Sequence, residues 1–154
     1  MRSSILSISL AVVASAAPVA LESRATCYSG VYVIGVRGTD EPAGYGSVAS
    51  VVSSVLAAIP GSAGVALDYP ASYLDPLYPE SVTDGINSLI GLVEDYANNC
   101  DGDIVLVGFS QGGNVITDAL AGGVDKPTPL TESYVNHSKC HLGVHAELFW
   151  RKFI

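Results

Sequence analysis

The chain has 154 residues, 49% of them hydrophobic and only 14% charged, which is ample core material for one domain and leaves little scope for disorder. Fifteen acidic residues against seven basic ones give a net charge of −8 with no basic cluster. That argues against nucleic acid and anionic membrane surfaces as partners, because both demand a concentrated positive patch. The N-terminus opens with Arg2, an apolar run from Ile5 to Val13, and Ala14-Ser15-Ala16, the small-x-small pattern of a signal-peptidase site. The run is shorter than the roughly 20 apolar residues a bilayer span needs. Residues 1–16 are therefore expected to be a signal peptide and 17–24 a short pro-segment, with the mature chain starting near Ala25 outside the cell.

An oxidising compartment sets how the cysteines are read. Of Cys27, Cys100 and Cys140, two should pair and one is left over. Cys27 precedes the first expected strand and Cys100 the strand that leads to Ser110. If those strands are neighbours in a parallel sheet, the two sulfurs can meet. Cys140 has no evident partner.

Strands and helices alternate along the chain. Val31 to Val36 is a continuous apolar, β-branched run, the pattern of a strand buried on both faces. A helix is expected from about Ser47 to Ile59, with Val48, Val51, Val52, Val55, Leu56 and Ile59 on one face and Pro60-Gly61 ending it. Gly64 to Tyr69 reads as a second strand. A helix from about Pro79 to Asn98 buries Val82, Ile86, Leu89, Ile90 and Val93, and Pro79 suits its first turn. Asp103 to Val107 is the third strand and Ser110 to Leu120 the third helix, closed by Gly122-Gly123. The alternation implies an α/β fold with a parallel sheet covered by helices.

Gly108-Phe109-Ser110-Gln111-Gly112 is a G-x-S-x-G sequence between a strand and a helix, the setting of a nucleophile elbow. A side chain at either glycine would clash with the neighbouring strand or helix. The turn lifts the Ser110 hydroxyl above the strand end and sets it at a helix N-terminus, where free N–H groups favour developing negative charge. The backbone N–H of Gln111 is the expected oxyanion donor. Read without that setting, Ser110 is an ordinary helix N-cap.

With these residues in view, the chain resembles the cutinase and acetylxylan esterase family of secreted serine esterases, which have a compact three-layer α/β-hydrolase fold. The resemblance runs from Cys27 to about His137. It is carried by Arg37-Gly38-Thr39-Asp40-Glu41 with Gly44-Tyr45-Gly46-Ser47, by Tyr69-Pro70-Ala71, by Cys100 ahead of Leu106 to Gly112, and by Asp118-Ala119-Leu120. It implies that Ser110 is the nucleophile, that Thr39 and Gln111 form the oxyanion hole, and that Cys27 and Cys100 form a disulfide. It further implies activity on plant cell-wall esters, acetylated xylan or cutin, with no cofactor and no metal. Gly44 to Ser47 leans slightly to the acetylxylan side. A soluble form is expected to be a monomer. On its own, Thr39 would be a plain turn residue.

The pattern departs from the family after His137. A serine hydrolase needs a base and a carboxylate to orient it, in the chain order Ser, Asp, His for this fold. The family places both well downstream, past a strand and a Gly-Asp-Pro stretch absent here, so the domain 25–137 reads as incomplete and 138–154 as a divergent tail. Base and carboxylate are not identifiable. His137, His141 and His145 all lie at or beyond the break, Asp118 reads as a solvated helix residue, and Asp125 is a weak candidate. His137 and His141 around Cys140 lack a further ligand for a metal site. Asn136-His137-Ser138 is a glycosylation sequon. The competing expectations are a non-catalytic secreted binding module and an inactive truncated gene product.

Overall fold

A computed structural model describes residues 25–135. The expected signal peptide and pro-segment, the sequon at Asn136, Cys140, His137, His141, His145 and the tail 138–154 lie outside the described residues.

The elements are β1 (Val31–Val36), α1 (Ala49–Ala58, entered through a 3-10 turn at Gly46–Val48), β2 (Ala63–Ala66), α2 (Tyr78–Asn99), β3 (Asp103–Gly108), α3 (Gln111–Ala121) and a short α4 (Glu132–Val135). The strands form one parallel sheet in the order β2-β1-β3, with Ile34 opposite both Val65 and Leu106. The central position of β1 explains its unbroken apolar run, because each of its faces is roofed by helix. Val33 and Val107 pack under Val48 and Val52 on one face. Ile34, Val36, Ile104 and Leu106 pack against α2 and α3 on the other. The result is a three-layer α/β architecture.

The buried stripe of α2 is close to its expectation. Val82, Ile86, Leu89 and Val93 are wholly buried and meet Val115, Ile116 and Ala119 of α3, while Ile90 is half-buried.

Two expectations need correction. The expected stripe of α1 is only partly covered: Val48 and Val52 are buried, but Val51 and Ile59 are each 37% exposed. On that face β2 offers only Gly64 and Ala66, too small a floor to seat the whole stripe. The second strand also stops at Ala66 and not at Tyr69. Leu67 still donates its N–H to Gly35 O at 2.9 Å, but beyond it the chain's carbonyls turn to the Arg37 side chain.

The Cys27–Cys100 disulfide is formed, with Cα atoms 5.3 Å apart. It joins the segments just ahead of β1 and β3, whose first residues, Val31 and Asp103, pair in the sheet. Beside it Tyr28, Tyr32 and Tyr96 form a stack, the last two with ring centroids 4.6 Å apart. No helix among the described residues is long and apolar enough to cross a membrane.

Candidate active site at the carboxyl ends of the strands

β1 connects to β2 on one side, and the next crossover passes back over β1 to β3 on the other. Such a reversal opens a crevice at the carboxyl ends of the two diverging strands. β1 delivers Arg37 to Glu41 to this crevice, and β3 delivers Gly108 to Gly112.

Ser110 stands at the junction of β3 and α3 with φ +51° and ψ −115°, a backbone conformation that strains a residue with a Cβ. The turn is tight enough to require both flanking glycines. A Cβ on Gly108 would lie 2.6 Å from Gly112 O, and one on Gly112 would lie 2.6 Å from Arg37 O and closer still to Val36 O. Ser110 is exposed. In the first turn of α3 the Gly112 N–H donates to Phe109 O (2.8 Å), and those of Gly113 and Asn114 donate to Ser110 O (2.9 and 3.2 Å). The Gln111 N–H finds no acceptor among the described residues. It stands next to Ser110 at the positive end of the helix dipole, ready for an anionic oxygen.

The β1 loop lies against this elbow. Phe109 N–H donates to Val36 O at 3.1 Å, and a Cβ on Gly38 would lie 2.7 Å from the Phe109 ring. Thr39, the next residue, is half-buried.

The loop is shaped by two charged groups. Arg37 is only 6% exposed, and its guanidinium donates to Glu41 O (3.1 Å), Leu67 O (3.2 Å), Tyr69 O and Pro70 O (3.3 Å). It also sits 5.0 Å from the centre of the Tyr69 ring. The Tyr69 hydroxyl donates to Arg37 O at 2.7 Å, and burial pushes its pKa far above the usual phenol value, so it stays a donor. The Glu41 carboxylate accepts from the Ser47 hydroxyl, the Gly38 N–H and the Ser47 N–H. Burial pushes its pKa upward, but these hydrogen bonds and the Arg37 charge outweigh that and hold it below the ordinary value.

The sequence pattern points only to a backbone role for Gln111, yet its side chain is fully buried. Its Oε1 accepts from Ser81 Oγ at 3.1 Å and its Nε2 donates to Ser72 O at 3.0 Å. Ser81 Oγ in turn accepts the Ser72 N–H at 3.0 Å, which closes a ring. Asp118 lies two turns along α3, where its Oδ2 accepts the Asn114 amide at 2.9 Å. Asp125 is exposed in the turn after α3. No histidine falls among the described residues.

The cutinase family model matches residues 27–141. An acetylxylan esterase 2 from Talaromyces purpureogenus is 40% identical over 114 residues, covering 70% of this chain and 49% of that protein. Cutinase 11 from Verticillium dahliae is 38% identical over 132 residues, covering 82% of this chain and 44% of that one. The chain thus spans about half the length, or less, of the curated relatives it matches. Among solved structures, an acetylxylan esterase at 0.90 Å resolution gives a TM-score of 0.68 at 35% identity, over 77% of this chain and 64% of the other. The catalytic core domain of acetyl xylan esterase from Trichoderma reesei gives 0.64 at 35% identity, over 70% and 58%.

Proposed function

This chain belongs to the cutinase family, and from that premise we propose that the whole protein is a secreted carboxylic ester hydrolase with Ser110 as its nucleophile. The observation that carries the reading is the strained, exposed Ser110 at the N-terminus of α3, followed directly by an N–H with no acceptor among the described residues. Ser110 Oγ attacks the ester carbonyl, and the oxygen that becomes anionic is held by the Gln111 N–H and by Thr39 from the β1 loop. Collapse of that intermediate expels the alcohol and leaves an acyl-serine, which water then hydrolyses. A general base takes the Ser110 proton and passes it to the leaving alcohol, and a carboxylate orients the base. Both come from outside the described residues.

Acetylated xylan and cutin-like polyester are the substrates proposed, in keeping with the relatives named acetylxylan esterase and cutinase. A groove of about 580 Å³ lies between the first turns of α2 and the loop after α3, lined among others by Tyr78, Thr83, Asn114, Asp125 and Lys126; Asn114 stands one turn of α3 beyond Ser110, which does not itself line the groove. The organisation proposed is a signal peptide cleaved near Ala16, a pro-segment to Arg24, an esterase domain over 25–137 that the family's downstream segment completes, and a divergent tail over 138–154.

The test is p-nitrophenyl acetate hydrolysis at neutral pH by the 154-residue chain and by the chain carrying a relative's downstream segment after Val135. The extended form is expected to turn over, and Ser110→Ala to lower its turnover by about 10⁶-fold. The 154-residue chain is expected to show negligible turnover, which Ser110→Ala leaves little changed. Ser110-dependent turnover by the 154-residue chain itself would assign the base to His137, His141 or His145. Hydrolysis by the extended form that survives Ser110→Ala would refute the proposal.

A further inference from the structure

We infer that the segment from Leu67 to Ser72 is the frame that holds the two halves of the oxyanion site in register, with Arg37, Ser81 and the Gln111 side chain as positioning residues. The inference rests on the function proposed above, because it concerns the two donors assigned there. Thr39 and Gln111 arrive from different strands, whose backbone ladder ends with Phe109 N–H on Val36 O, short of both donors. Beyond that point the carbonyls of Leu67 to Ser72 join them. Leu67 O, Tyr69 O and Pro70 O accept from the Arg37 guanidinium, two residues before Thr39. Ala71 O accepts the Asp40 N–H, one residue after Thr39, at 2.6 Å. Ser72 O accepts the Gln111 side chain, and the Ser72 N–H is taken by Ser81 Oγ, which itself donates to Gln111. Five carbonyls of one short segment thus serve the residues that bracket one donor and the residue that supplies the other.

The buried polar side chains point the same way. Among the described residues Arg37, Ser81 and Gln111 are the buried polar or charged ones, and all three bind this segment. A buried polar group is retained at a cost unless fully bonded, and among the described residues no buried side-chain nitrogen or oxygen lacks a partner. The arrangement also answers a mechanical need. Ser110 is strained, so the first turn of α3 must be held from outside if its N–H is to stay aimed. A displacement of about 1 Å in such a site costs on the order of 100-fold in rate.

The experiment uses three variants, Ser81→Ala, Gln111→Leu, and Val93→Ala as a control that destabilises the α2 core away from the segment, each made in the 154-residue chain and in the chain extended by a relative's downstream segment. Two quantities are read, p-nitrophenyl acetate kinetics in the extended form and hydrogen exchange at the Asp40 amide in the 154-residue chain. Ser81→Ala should lower kcat about tenfold and Gln111→Leu about 100-fold, each with KM within about twofold, and the two together should cost little more than Gln111→Leu alone. Asp40 exchange should rise about tenfold in Ser81→Ala, although the two residues do not touch, and stay unchanged in Val93→Ala. If Gln111→Leu does not fold, Ser81→Ala decides alone. If the extended parent shows no Ser110-dependent hydrolysis, the exchange measurement decides the frame, and the failure then belongs to the proposed function. Equal Asp40 exchange in Ser81→Ala and Val93→Ala overturns the inference, as does a Ser81→Ala effect confined to KM.

Discussion

Replacing Ser110 with glycine should make the protein more stable than replacing it with alanine. Both variants lose the hydroxyl, so chemistry plays no part in the comparison. Alanine keeps the Cβ and with it the strain of φ +51°, ψ −115°, whereas glycine adopts this region freely. Backbone strain of this kind costs about 1–3 kcal/mol. The extra freedom of glycine in the unfolded chain returns about 0.4–1 kcal/mol of that. At the middle of those ranges the net advantage of glycine is about 1.3 kcal/mol. With an unfolding entropy of about 2.1 cal/mol/K per residue over about 110 residues, that corresponds to a Tm about 6 °C higher for Ser110→Gly than for Ser110→Ala. Calorimetric melts of the two variants at neutral pH under oxidising conditions provide the measurement. A Ser110→Gly variant that melts at or below Ser110→Ala would show that the elbow stores no strain.

Two further outcomes can be read from stability alone. The carboxyl of Glu41 is held below its ordinary pKa in the folded state, so its contribution is present above its unfolded pKa, near 4.3, and is lost as pH falls through the folded value. Glu41→Gln should melt below the parent at pH 7, and the gap should narrow as pH drops below about 4; a gap independent of pH from 7 to 3 would contradict the assignment. The disulfide closes a sequence separation of 73 residues, worth about 4 kcal/mol in the chain-entropy account. Replacing Cys27 and Cys100 together with serine should lower Tm by roughly 15 °C, and a change of under about 3 °C would show that the link adds little.

What the sequence discloses depends on whether a signal is local. The central strand is legible because burial on both faces writes itself into Val31 to Val36 as an unbroken apolar run. The elbow is legible because close backbone approach admits only glycine at 108 and 112, and that requirement has a fixed spacing. The limits of the second strand are not, because Leu67 and Tyr69 are strand-like residues whose carbonyls are claimed by Arg37, 30 and 32 residues earlier. Likewise, the spacing of Val51 and Ile59 marks a helix face but says nothing of how wide a floor the sheet provides. The Gln111 side chain escapes for the same reason. A glutamine after a serine looks like a solvated first-turn residue, and only the approach of Ser72 and Ser81 shows it to be interior.

The pairing of β1 with β3 has a kinetic consequence. Val31 meets Asp103 across a stretch of chain that includes β2 and the whole of α2, so the sheet cannot close until nearly all the intervening chain has been made and gathered. Contacts of such high order make folding slow, since loop closure must precede the reward of pairing. Meanwhile the apolar edge of β1 destined for β3 lies open to other chains. Oxidation of Cys27 with Cys100 changes that search, since the two cysteines stand immediately ahead of the first paired residues. Once they are joined, β1 and β3 start in register as though linked by a tight turn, and the intervening chain folds inside a closed ring. In an oxidising compartment, then, this bond is a gate on the order of folding events, and a chain synthesised under reducing conditions meets its own unpaired strand edges first.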